Sequence, residues 1–331
     1  MVDIYGTLGP RCSDVDTLAS MFAAGMTGVR LNLSHITLAQ AAGQIEQLHL
    51  AAARNGKKAQ LLIDMQGPEL RLGALAQPLT LTAGSRVLLG AGGLPIPPSI
   101  LPFLQPGQQV LLDDGKLLLE VLSREENAVC AAILRGGLLQ SRKSIALPGS
   151  TLHPPTMTEP DVQNITLAGE YGVTAVMQPF VRDRRDLETV RMALRDAHCG
   201  HIRLFAKIEN REGVENLKEL IPASDEIVIA RGDLGNAMPL WKLPRVQKQI
   251  AANCRACGKP FMVVTQMLAS MEHSPVPTRA EVSDIFNAVC DGAASVMVTG
   301  ETAVGDNPVE VIRYLANTVA EAEEYLGSIP K

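Results

Sequence analysis

Two stretches decide the fold predicted for this chain: FAKIEN at Phe205–Asn210 and IVIARGDLG at Ile227–Gly235. Each opens with an apolar run typical of a buried strand and ends in charged residues, Lys207 and Glu209 in the first and Asp233 in the second. On neighbouring parallel strands, the two carboxylates can share one hard divalent cation. A lysine beside that cation would neutralise charge developing on a substrate oxygen. The two stretches therefore predict a site for enolate or phosphoryl chemistry.

The same pattern of an apolar run bounded by polar residues or glycine recurs along the chain and gives eight candidate buried strands. They lie near Ile4–Gly9, Gly28–Leu33, Gln60–Asp64, Thr174–Gln178, Ile202–Ile208, Glu226–Ala230, Pro260–Val264 and Ala294–Val298. Segments of helical periodicity lie between them: Val15–Ala24, Leu38–Arg54, Leu187–Asp196, Val246–Cys257, Arg279–Cys290 and Val309–Glu324. Alternation around eight strands predicts an α/β fold of the (β/α)₈ (TIM) barrel type, although a doubly wound sheet could use the same units.

One interval interrupts this alternation. From about Ala74 to Pro148 the chain consists of short alternating stretches separated by Gly, Pro and the Asp114-Gly115 turn. This pattern predicts a small β-barrel-like domain inserted after the third strand, with barrel segments 1–73 and 150–331 around an insert at 74–149. An insert beside a barrel mouth could act as a lid, or it could be an appendage without a closing motion.

Composition excludes several classes of protein. The 331 residues are 46% hydrophobic, with mean hydropathy +0.11, a net charge of −5 and a pI near 5.7. No basic block is present, so we expect neither nucleic-acid nor membrane-surface binding. Without an apolar run long enough to span a membrane or a secretory signal, we expect a cytoplasmic protein with six reduced cysteines. One CxxC pair, Cys254 and Cys257, lacks the second pair that a structural zinc site needs.

Candidate functional residues lie at the ends of most of the predicted strands and in the loops after them. They are Gly9-Pro10, Arg30 with Asn32 and Ser34, Asp64, Lys207 with Glu209, Arg231-Gly232-Asp233, Thr265-Gln266 and Thr299-Gly300-Glu301. In a barrel the carboxyl ends of all strands open on one mouth, where the catalytic residues lie. We therefore expect one active site, although Asn32 and Ser34 could instead cap a turn, and the Thr265 hydroxyl could be satisfied by backbone.

At these positions the chain resembles the pyruvate kinase family. The motifs are TLGPRC (7–12), GMTGVRLNLSH (25–35), IDMQGPELRLG (63–73), LLDDG (111–115), ALPG (146–149), KIEN (207–210), ARGDLG (230–235), GKPFMVVTQML (258–268), PTRAEVSDIFNAVCDG (277–292) and TGETAVGDNP (299–308). The resemblance spans the chain in the family's order. It implies a (β/α)₈ barrel with a β lid and a glycolytic kinase that converts phosphoenolpyruvate and ADP to pyruvate and ATP through a Mg-bound enolpyruvate.

The resemblance also implies the cofactors. Glu209 and Asp233 would bind Mg²⁺ or Mn²⁺. The ligands of K⁺ would be Asn32, Ser34, Asp64 and the carbonyl of Met65. Glu69, which accompanies potassium dependence in the family, points to K⁺ here.

Catalytic and substrate-binding roles follow from the same resemblance. Lys207 would stabilise the transferring phosphoryl group and the enolate oxygen, and Arg30 would meet the phosphoryl group. The backbone amides of Gly232 and Asp233 would bind the substrate carboxylate together with Thr265. Thr299 stands in place of a serine and keeps a hydroxyl for a proton relay. The nucleotide would be met by Pro10, His35, Arg71, Asp114 and Lys143, of which His35 and Lys143 could instead be solvated surface residues.

The chain also departs from the family. It stops at Lys331, just past the predicted eighth barrel helix, whereas family members normally continue into an effector-binding domain. We therefore expect no effector regulation of the usual kind, and any homo-oligomer would form through barrel faces. Gln66 replaces a lysine, Met65 a threonine, Ile36 a glycine and Pro179 a serine.

The residues implied to handle the enolate, Lys207, Glu209, Asp233 and Thr265, match the family more faithfully than those implied to bind ADP. Two alternatives therefore remain open. One is a Mg²⁺-dependent lyase, or a related enzyme, that uses the same enolate site on pyruvate or a phosphoenolpyruvate-like substrate. The other is a non-catalytic regulatory protein that binds phosphoenolpyruvate.

Overall fold

The computed structural model describes residues 1–34, 36–113, 115–150 and 152–328. The chain forms two compact units. The first unit contains Met1–Gly67, Thr156–Gly235 and Trp241–Lys331, and the second, here called the inserted unit, contains Pro68–Pro155 and Asn236–Leu240. The domain boundaries at 73/74 and 149/150 stay predictions from the sequence.

The described residues contain sixteen strands, numbered in chain order. They are β1 (Asp3–Thr7), β2 (Gly28–Asn32), β3 (Gln60–Asp64), β4 (Leu70–Arg71), β5 (Leu79–Leu81), β6 (Arg86–Gly90), β7 (Gln109–Leu112), β8 (Leu117–Arg124), β9 (Ala128–Arg135), β10 (Gly137–Leu139), β11 (Ser144–Ala146), β12 (Ala175–Gln178), β13 (Arg203–Ile208), β14 (Glu226–Ala230), β15 (Phe261–Val264) and β16 (Ser295–Met297).

Eleven α-helices are present in the same residues. They are α1 (Val15–Ala23), α2 (Ala42–Arg54), α3 (Glu159–Leu167), α4 (Arg184–Asp196), α5 (Arg211–Glu215), α6 (Leu217–Ala223), α7 (Arg231–Asn236), α8 (Leu243–Ala256), α9 (Arg279–Cys290), α10 (Gly300–Ala303) and α11 (Pro308–Ser328).

The first unit is a closed barrel of eight parallel strands in the order β1-β2-β3-β12-β13-β14-β15-β16. Each corresponds to one predicted strand, because strands covered on both faces form continuous apolar runs that are visible in the sequence. All five residues of β14, for example, are buried. The (β/α)₈ barrel predicted from the sequence is therefore confirmed.

The barrel interior is arranged in layers because side chains alternate along a strand with a period of two. Along β13, Phe205 belongs to the apolar middle layer, with Arg203 two residues before it and Lys207 two residues after it. β3 follows the same order, with Gln60, Leu62 and Asp64. Both of these strands thus bring one polar side chain to the amino end of the barrel and one to the carboxyl end.

Local capping signals begin several of the helices. Asp14 and Asp183 accept hydrogen bonds from backbone N–H groups at the starts of α1 and α4. Thr158 and Thr278 form capping boxes at α3 and α9. Periodicity alone did not predict α3, because its sequence EPDVQNITL has little apolar patterning and two of its buried residues are polar, Asp161 and Asn164. Among the described residues, no helix has both the length and the apolar character that a membrane span requires.

The inserted unit follows β3 in the chain, as predicted. Its six-stranded antiparallel sheet has the order β4-β11-β7-β8-β9-β6, and β5 pairs with β10 in a separate ribbon. Inward-facing aliphatic side chains such as Val110, Leu119 and Ile133 form a core of their own. The alternating stretches predicted between Ala74 and Pro148 correspond to β5 to β9; they are Leu79–Thr82, Ser85–Leu89, Gln109–Leu112, Leu117–Leu122 and Ala128–Leu134. The other strands of this unit, β4, β10 and β11, have two or three residues and were not predicted, because so short a segment carries little pattern.

Candidate active site

Four charged side chains meet at the carboxyl end of the barrel. Lys207 Nζ lies 3.2 and 3.1 Å from the two carboxylate oxygens of Asp64 and 3.0 Å from Glu209 Oε1. Arg30 binds the same Asp64 through Nε at 2.8 Å and Nη2 at 2.7 Å. Asp64 and Lys207 come from β3 and β13, which β12 separates, so these inward-pointing side chains meet across one intervening strand. The cluster therefore joins the ends of β2, β3 and β13.

Charge balance fixes the ionisation of this cluster. Burial alone would raise the pKa of Asp64, but Lys207 and Arg30 outweigh burial and hold that pKa below its usual range. Burial would lower the pKa of Lys207, but Asp64 and Glu209 outweigh it and raise the pKa above its usual value. Lys207 is therefore a permanent cation at neutral pH and is suited to stabilising negative charge rather than to accepting a proton.

Glu209 is held from two sides. Its side chain is almost fully buried, with Oε1 facing Lys207 and Oε2 accepting the backbone N–H of Phe180 at 2.9 Å. Phe180 has a φ of 51°, an uncommon conformation for a residue other than glycine, and it lies two residues beyond the end of β12. Asp233 is the third residue of α7, which starts directly after β14, the neighbour of β13. The two predicted divalent-metal ligands therefore follow adjacent strands.

The turn after β15 is strained. Thr265 and Gln266 have φ values of 80° and 56°, and for a β-branched residue such as Thr265 this is an outlier. Gly232, at the start of α7, faces the same turn, because a Cβ added there would lie 3.1 Å from Thr265 Cγ2. The structure thus brings together Gly232 and Thr265, two of the residues predicted to bind the substrate carboxylate.

Thr299 follows β16 and is bound to a buried carboxylate. Its backbone N–H donates to Glu301 Oε2 at 2.6 Å, and its hydroxyl lies 3.2 Å from the same oxygen. The other oxygen of Glu301 accepts the Leu268 N–H at 3.2 Å, so Glu301 connects the loops after β15 and β16. The hydroxyl predicted to relay a proton therefore has an acidic hydrogen-bond partner.

The predicted potassium ligands lie at the ends of β2 and β3. Asn32 Oδ1 accepts the Ser34 N–H at 3.1 Å, which is the turn bond that the sequence left open as an alternative role. Met65 is buried, and its N–H donates to the Met177 carbonyl at 3.2 Å. Gln66 donates from Nε2 to the Leu33 carbonyl at 3.1 Å, so this uncharged side chain links the same two strand ends.

The predicted nucleotide residues that the structure describes belong to different units of the chain. Pro10 is exposed, beyond the end of β1. Within the inserted unit, Arg71 pairs with Glu69 at 2.7 Å and Lys143 pairs with Asp113 at 2.8 Å. His35 and Asp114, which were also predicted to meet the nucleotide, lie outside the described residues.

The donor types at these positions fit the implied cations. Among the described residues, no group of three or more His, Cys, Asp or Glu side chains is arranged as a metal site. Glu209 and Asp233 offer hard carboxylate oxygens, the type that Mg²⁺ and Mn²⁺ prefer, and Mg²⁺ commonly binds one or two carboxylates together with substrate phosphates. Asn32, Ser34 and the Met65 carbonyl offer neutral oxygens of the type that suits K⁺, whereas both oxygens of Asp64 contact Lys207.

Sequence reasoning missed three residues that hold this site. Asp161, which is fully buried, accepts the N–H groups of Gln66 and Gly67 at 2.8 and 2.9 Å and so fixes the loop after β3. The T-x-x-D signal at 158–161 could have revealed its capping role. Glu301 was noted after its strand without a role, and Phe180 acts through its backbone conformation, which its side chain does not signal.

Comparison with known proteins agrees with this geometry. The family model described as "Pyruvate kinase, barrel domain" matches residues 1–93 and 96–312. The pyruvate kinase of Bacillus licheniformis is 35% identical over 98% of this chain, which spans 57% of that relative's length. Those of Chlamydia pneumoniae and Aeropyrum pernix are 38% and 36% identical over 98% and 99% of this chain, which spans 69% and 72% of their lengths. Because the family model and these relatives cover nearly the whole barrel and its insert, the chain belongs to the pyruvate kinase family.

Proposed function

We propose that this chain transfers the phosphoryl group of phosphoenolpyruvate to ADP and protonates the enolate left behind to give pyruvate. The observation that carries the proposal is the position of the Lys207 ammonium, whose side chain is only 12% exposed, between the carboxylates of Asp64 and Glu209 at the carboxyl end of the barrel. Family membership supports the choice of substrates, since the relatives named above are pyruvate kinases.

In this reaction the bond between phosphorus and the enol oxygen breaks, and the phosphoryl group passes to a terminal oxygen of ADP. Negative charge then rests on the enol oxygen, where the Lys207 ammonium stabilises it without giving up a proton. Arg30 is anchored by Asp64 and is the second cation available to the phosphoryl group. When bound, Mg²⁺ or Mn²⁺ at Glu209 and Asp233, and K⁺ at the ends of β2 and β3, would offset the charge of the substrate phosphates and carboxylate.

The other predicted residues bind the substrate and deliver the proton. The Thr265 hydroxyl and the backbone amides of Gly232 and Asp233 would bind the substrate carboxylate. The Thr299 hydroxyl, hydrogen-bonded to Glu301, would pass a proton to the methylene carbon of the enolate. Nucleotide binding by Pro10, His35, Arg71, Asp114 and Lys143 stays a prediction, as do a cytoplasmic location and assembly through barrel faces.

A coupled assay tests the proposal. Purified protein is supplied with phosphoenolpyruvate, ADP, Mg²⁺ and K⁺, and pyruvate is measured through the oxidation of NADH by lactate dehydrogenase. We expect turnover that requires both substrates, and a loss of at least about 10³-fold in Lys207→Met with the barrel still folded by circular dichroism. An unaffected rate in Lys207→Met would show that the cluster is not the active site.

The same preparation separates the two alternatives. If no phosphoryl transfer to ADP occurs but the methyl protons of pyruvate exchange with deuterated solvent, the site carries out enolate chemistry with another acceptor or as a lyase. If neither reaction occurs but phosphoenolpyruvate binds in a calorimeter, the protein is a binding protein.

A further inference from the structure

The turn after β15 has two consecutive non-glycine residues with positive φ. Thr265 and Gln266 occupy the left-handed region consecutively, with φ values of 80° and 56°. A turn made of two non-glycine residues in this region persists only where neighbouring groups hold it. The left-handed backbone conformation of Thr265 directs its side chain, and in this direction Cγ2 faces Gly232.

One side chain, Arg231, holds the turn. Its Nε and Nη2 donate to the Thr265 carbonyl at 3.1 and 2.7 Å. Nη1 binds Asp284 Oδ2 at 2.6 Å, and Nη2 also lies 3.0 Å from Met267 Sδ. The Arg231 side chain is 12% exposed. The planar guanidinium therefore makes a forked contact with the carbonyl on one side and is fixed by α9 on the other, which the single ammonium of a lysine cannot reproduce.

We propose that Arg231 is a positioning residue: it fixes the left-handed Thr265–Gln266 turn and thereby sets the affinity for the carboxylate end of the substrate. Arg231 immediately precedes Gly232, so this one side chain ties the junction of β14 and α7 to the end of β15. The inference rests on the proposed function in taking phosphoenolpyruvate as the ligand and Thr265 as a residue that binds its carboxylate.

A second arginine pair provides a matched control. Arg191 Nη2 lies 2.6 Å from Asp225 Oδ2, the same length as the Arg231–Asp284 pair. The Asp225 carboxylate also accepts the backbone N–H of Leu204, near the start of β13, so this pair supports the amino end of the barrel. Arg191→Met should therefore remove a comparable ion pair without disturbing Thr265.

The experiment measures phosphoenolpyruvate binding by isothermal titration calorimetry, with Mg²⁺ and K⁺ present and no ADP, together with steady-state kinetics. For Arg231→Met we expect the Kd and the KM for phosphoenolpyruvate to rise about 10-fold or more, while the KM for ADP changes less than about 2-fold. Arg231→Lys should not restore the affinity, since the forked contact is lost. Arg191→Met should leave both constants within about 2-fold of the wild type.

A double-mutant cycle shows whether Arg231 acts through Thr265. Thr265→Ala alone should weaken phosphoenolpyruvate binding, and Arg231→Met added to it should weaken binding much less than it does in the wild type. Full additivity would overturn the inference and leave the proposed function intact. If the wild-type protein itself does not bind phosphoenolpyruvate, both the inference and the proposed function are wrong.

A milder variant covers the case in which Arg231→Met does not fold. Asp284→Asn keeps the arginine but removes the charge that fixes Nη1, and we expect the Kd for phosphoenolpyruvate to rise about 3-fold with folding retained. An unchanged Kd in every folded variant would show that Arg231 only stabilises the barrel.

Discussion

The two ends of the barrel interior are built from the same strands but differ in how they carry charge. At the carboxyl end, Asp64 and Lys207 form a buried cluster in which each charge contacts a charge of opposite sign. At the amino end, the buried Glu226 accepts a hydrogen bond from the Ser295 hydroxyl, and its nearest cation, Arg203, is 3.8 Å away. The first end has close ion pairs, and the second relies mainly on neutral partners.

This difference separates the effect of burial from the effect of partners. Asp64 and Glu226 are 1% and 3% exposed, so burial raises the pKa of both carboxyls. At Asp64, Lys207 and Arg30 reverse the shift, whereas burial raises the pKa of Glu226 to about 6. Close cations therefore decide whether a buried carboxyl of this barrel has a pKa below or above its usual value.

The largest expected effect comes from removing the central cation of the carboxyl end. Lys207→Met leaves Asp64 and Glu209 buried with only Arg30 to offset them, which should cost about 3–5 kcal/mol of unfolding free energy. The proposed phosphoryl transfer should fall by at least about 10³-fold. Denaturant unfolding and the coupled assay measure the two effects.

Arg203→Met is the matched change at the amino end. The Arg203 side chain is 42% exposed, so its removal should lower stability by about 1 kcal/mol and leave turnover within about 2-fold. Equal losses of activity in the two variants would remove the functional distinction between the two ends.

The next effect tests whether the carboxyl end depends on its backbone supports. The Asp161 carboxylate accepts hydrogen bonds from four donors: the backbone N–H groups of Gln66, Gly67 and Thr158 and the Thr158 hydroxyl. Asp161→Asn places an amide among these donors and should lower the free energy of unfolding by about 2–3 kcal/mol. Because the hydrogen bonds from Gln66 and Gly67 to Asp161 fix the loop after β3, the proposed activity should also fall, by about 10-fold. Chemical denaturation and the KM for phosphoenolpyruvate give the two readouts.

Glu281→Gln is the control for this prediction. Glu281 occupies the equivalent capping-box position of α9 and reaches Ser270 instead of the loop after β3. We expect a smaller loss of stability, about 1 kcal/mol, because Glu281 is only partly buried, and an unchanged KM. A KM that rises equally in both variants would mean that loss of stability alone accounts for the effect.

The barrel could be predicted from the sequence because its strands are apolar on both faces. The predicted bounds of Gln60–Asp64 and Glu226–Ala230 coincide with β3 and β14. The functional residues at the strand ends could also be predicted. A lysine and a glutamate at the end of an apolar run, as at Lys207 and Glu209, indicate a site that binds a cation and stabilises negative charge on a substrate. Their partners could not, because the contact of Lys207 with Asp64 depends on how the strands are staggered around the barrel.

The amino-end network was missed for a different physical reason. Arg203, Glu226 and Ser295 stand at the starts of strands, where a polar residue also marks the edge of an apolar run. Only the closed barrel, with side chains alternating inward, shows that these residues face one another. The left-handed conformations of Phe180 and Thr265 have no sequence signal, because neither residue favours that region.

The third effect is an expected gain of stability at the amino end. The usual pKa of Glu226 is 4.5 and its folded value is about 6, so folding takes up a proton between these values. This proton uptake contributes roughly 2 kcal/mol to the free energy of unfolding below pH 4.5. The contribution is lost as the pH rises through about 6. Glu226→Gln should remove this dependence and be more stable than the wild type at pH 8, by up to about 2 kcal/mol.

Urea denaturation at pH 5 and pH 8 measures this difference. Asp3, Tyr5 and Arg203 also face this carboxyl, so each variant is compared with the wild type at the same pH. If Glu226→Gln destabilises the protein at pH 8, the carboxylate is stabilised there by its partners, and the contrast between the two ends fails.

The smallest effect isolates the neutral partner at the amino end. The Ser295 hydroxyl lowers the pKa of Glu226 by donating to its carboxylate, so Ser295→Ala should raise that pKa further above its usual value. The loss of stability should be about 1 kcal/mol at pH 8, where Glu226 is ionised, and smaller at pH 5, where it is protonated. In the Glu226→Gln background the same substitution should lose its dependence on pH. A loss that is equal at both pH values in the wild-type background would show that Ser295 contributes packing rather than a hydrogen bond to a titrating acid.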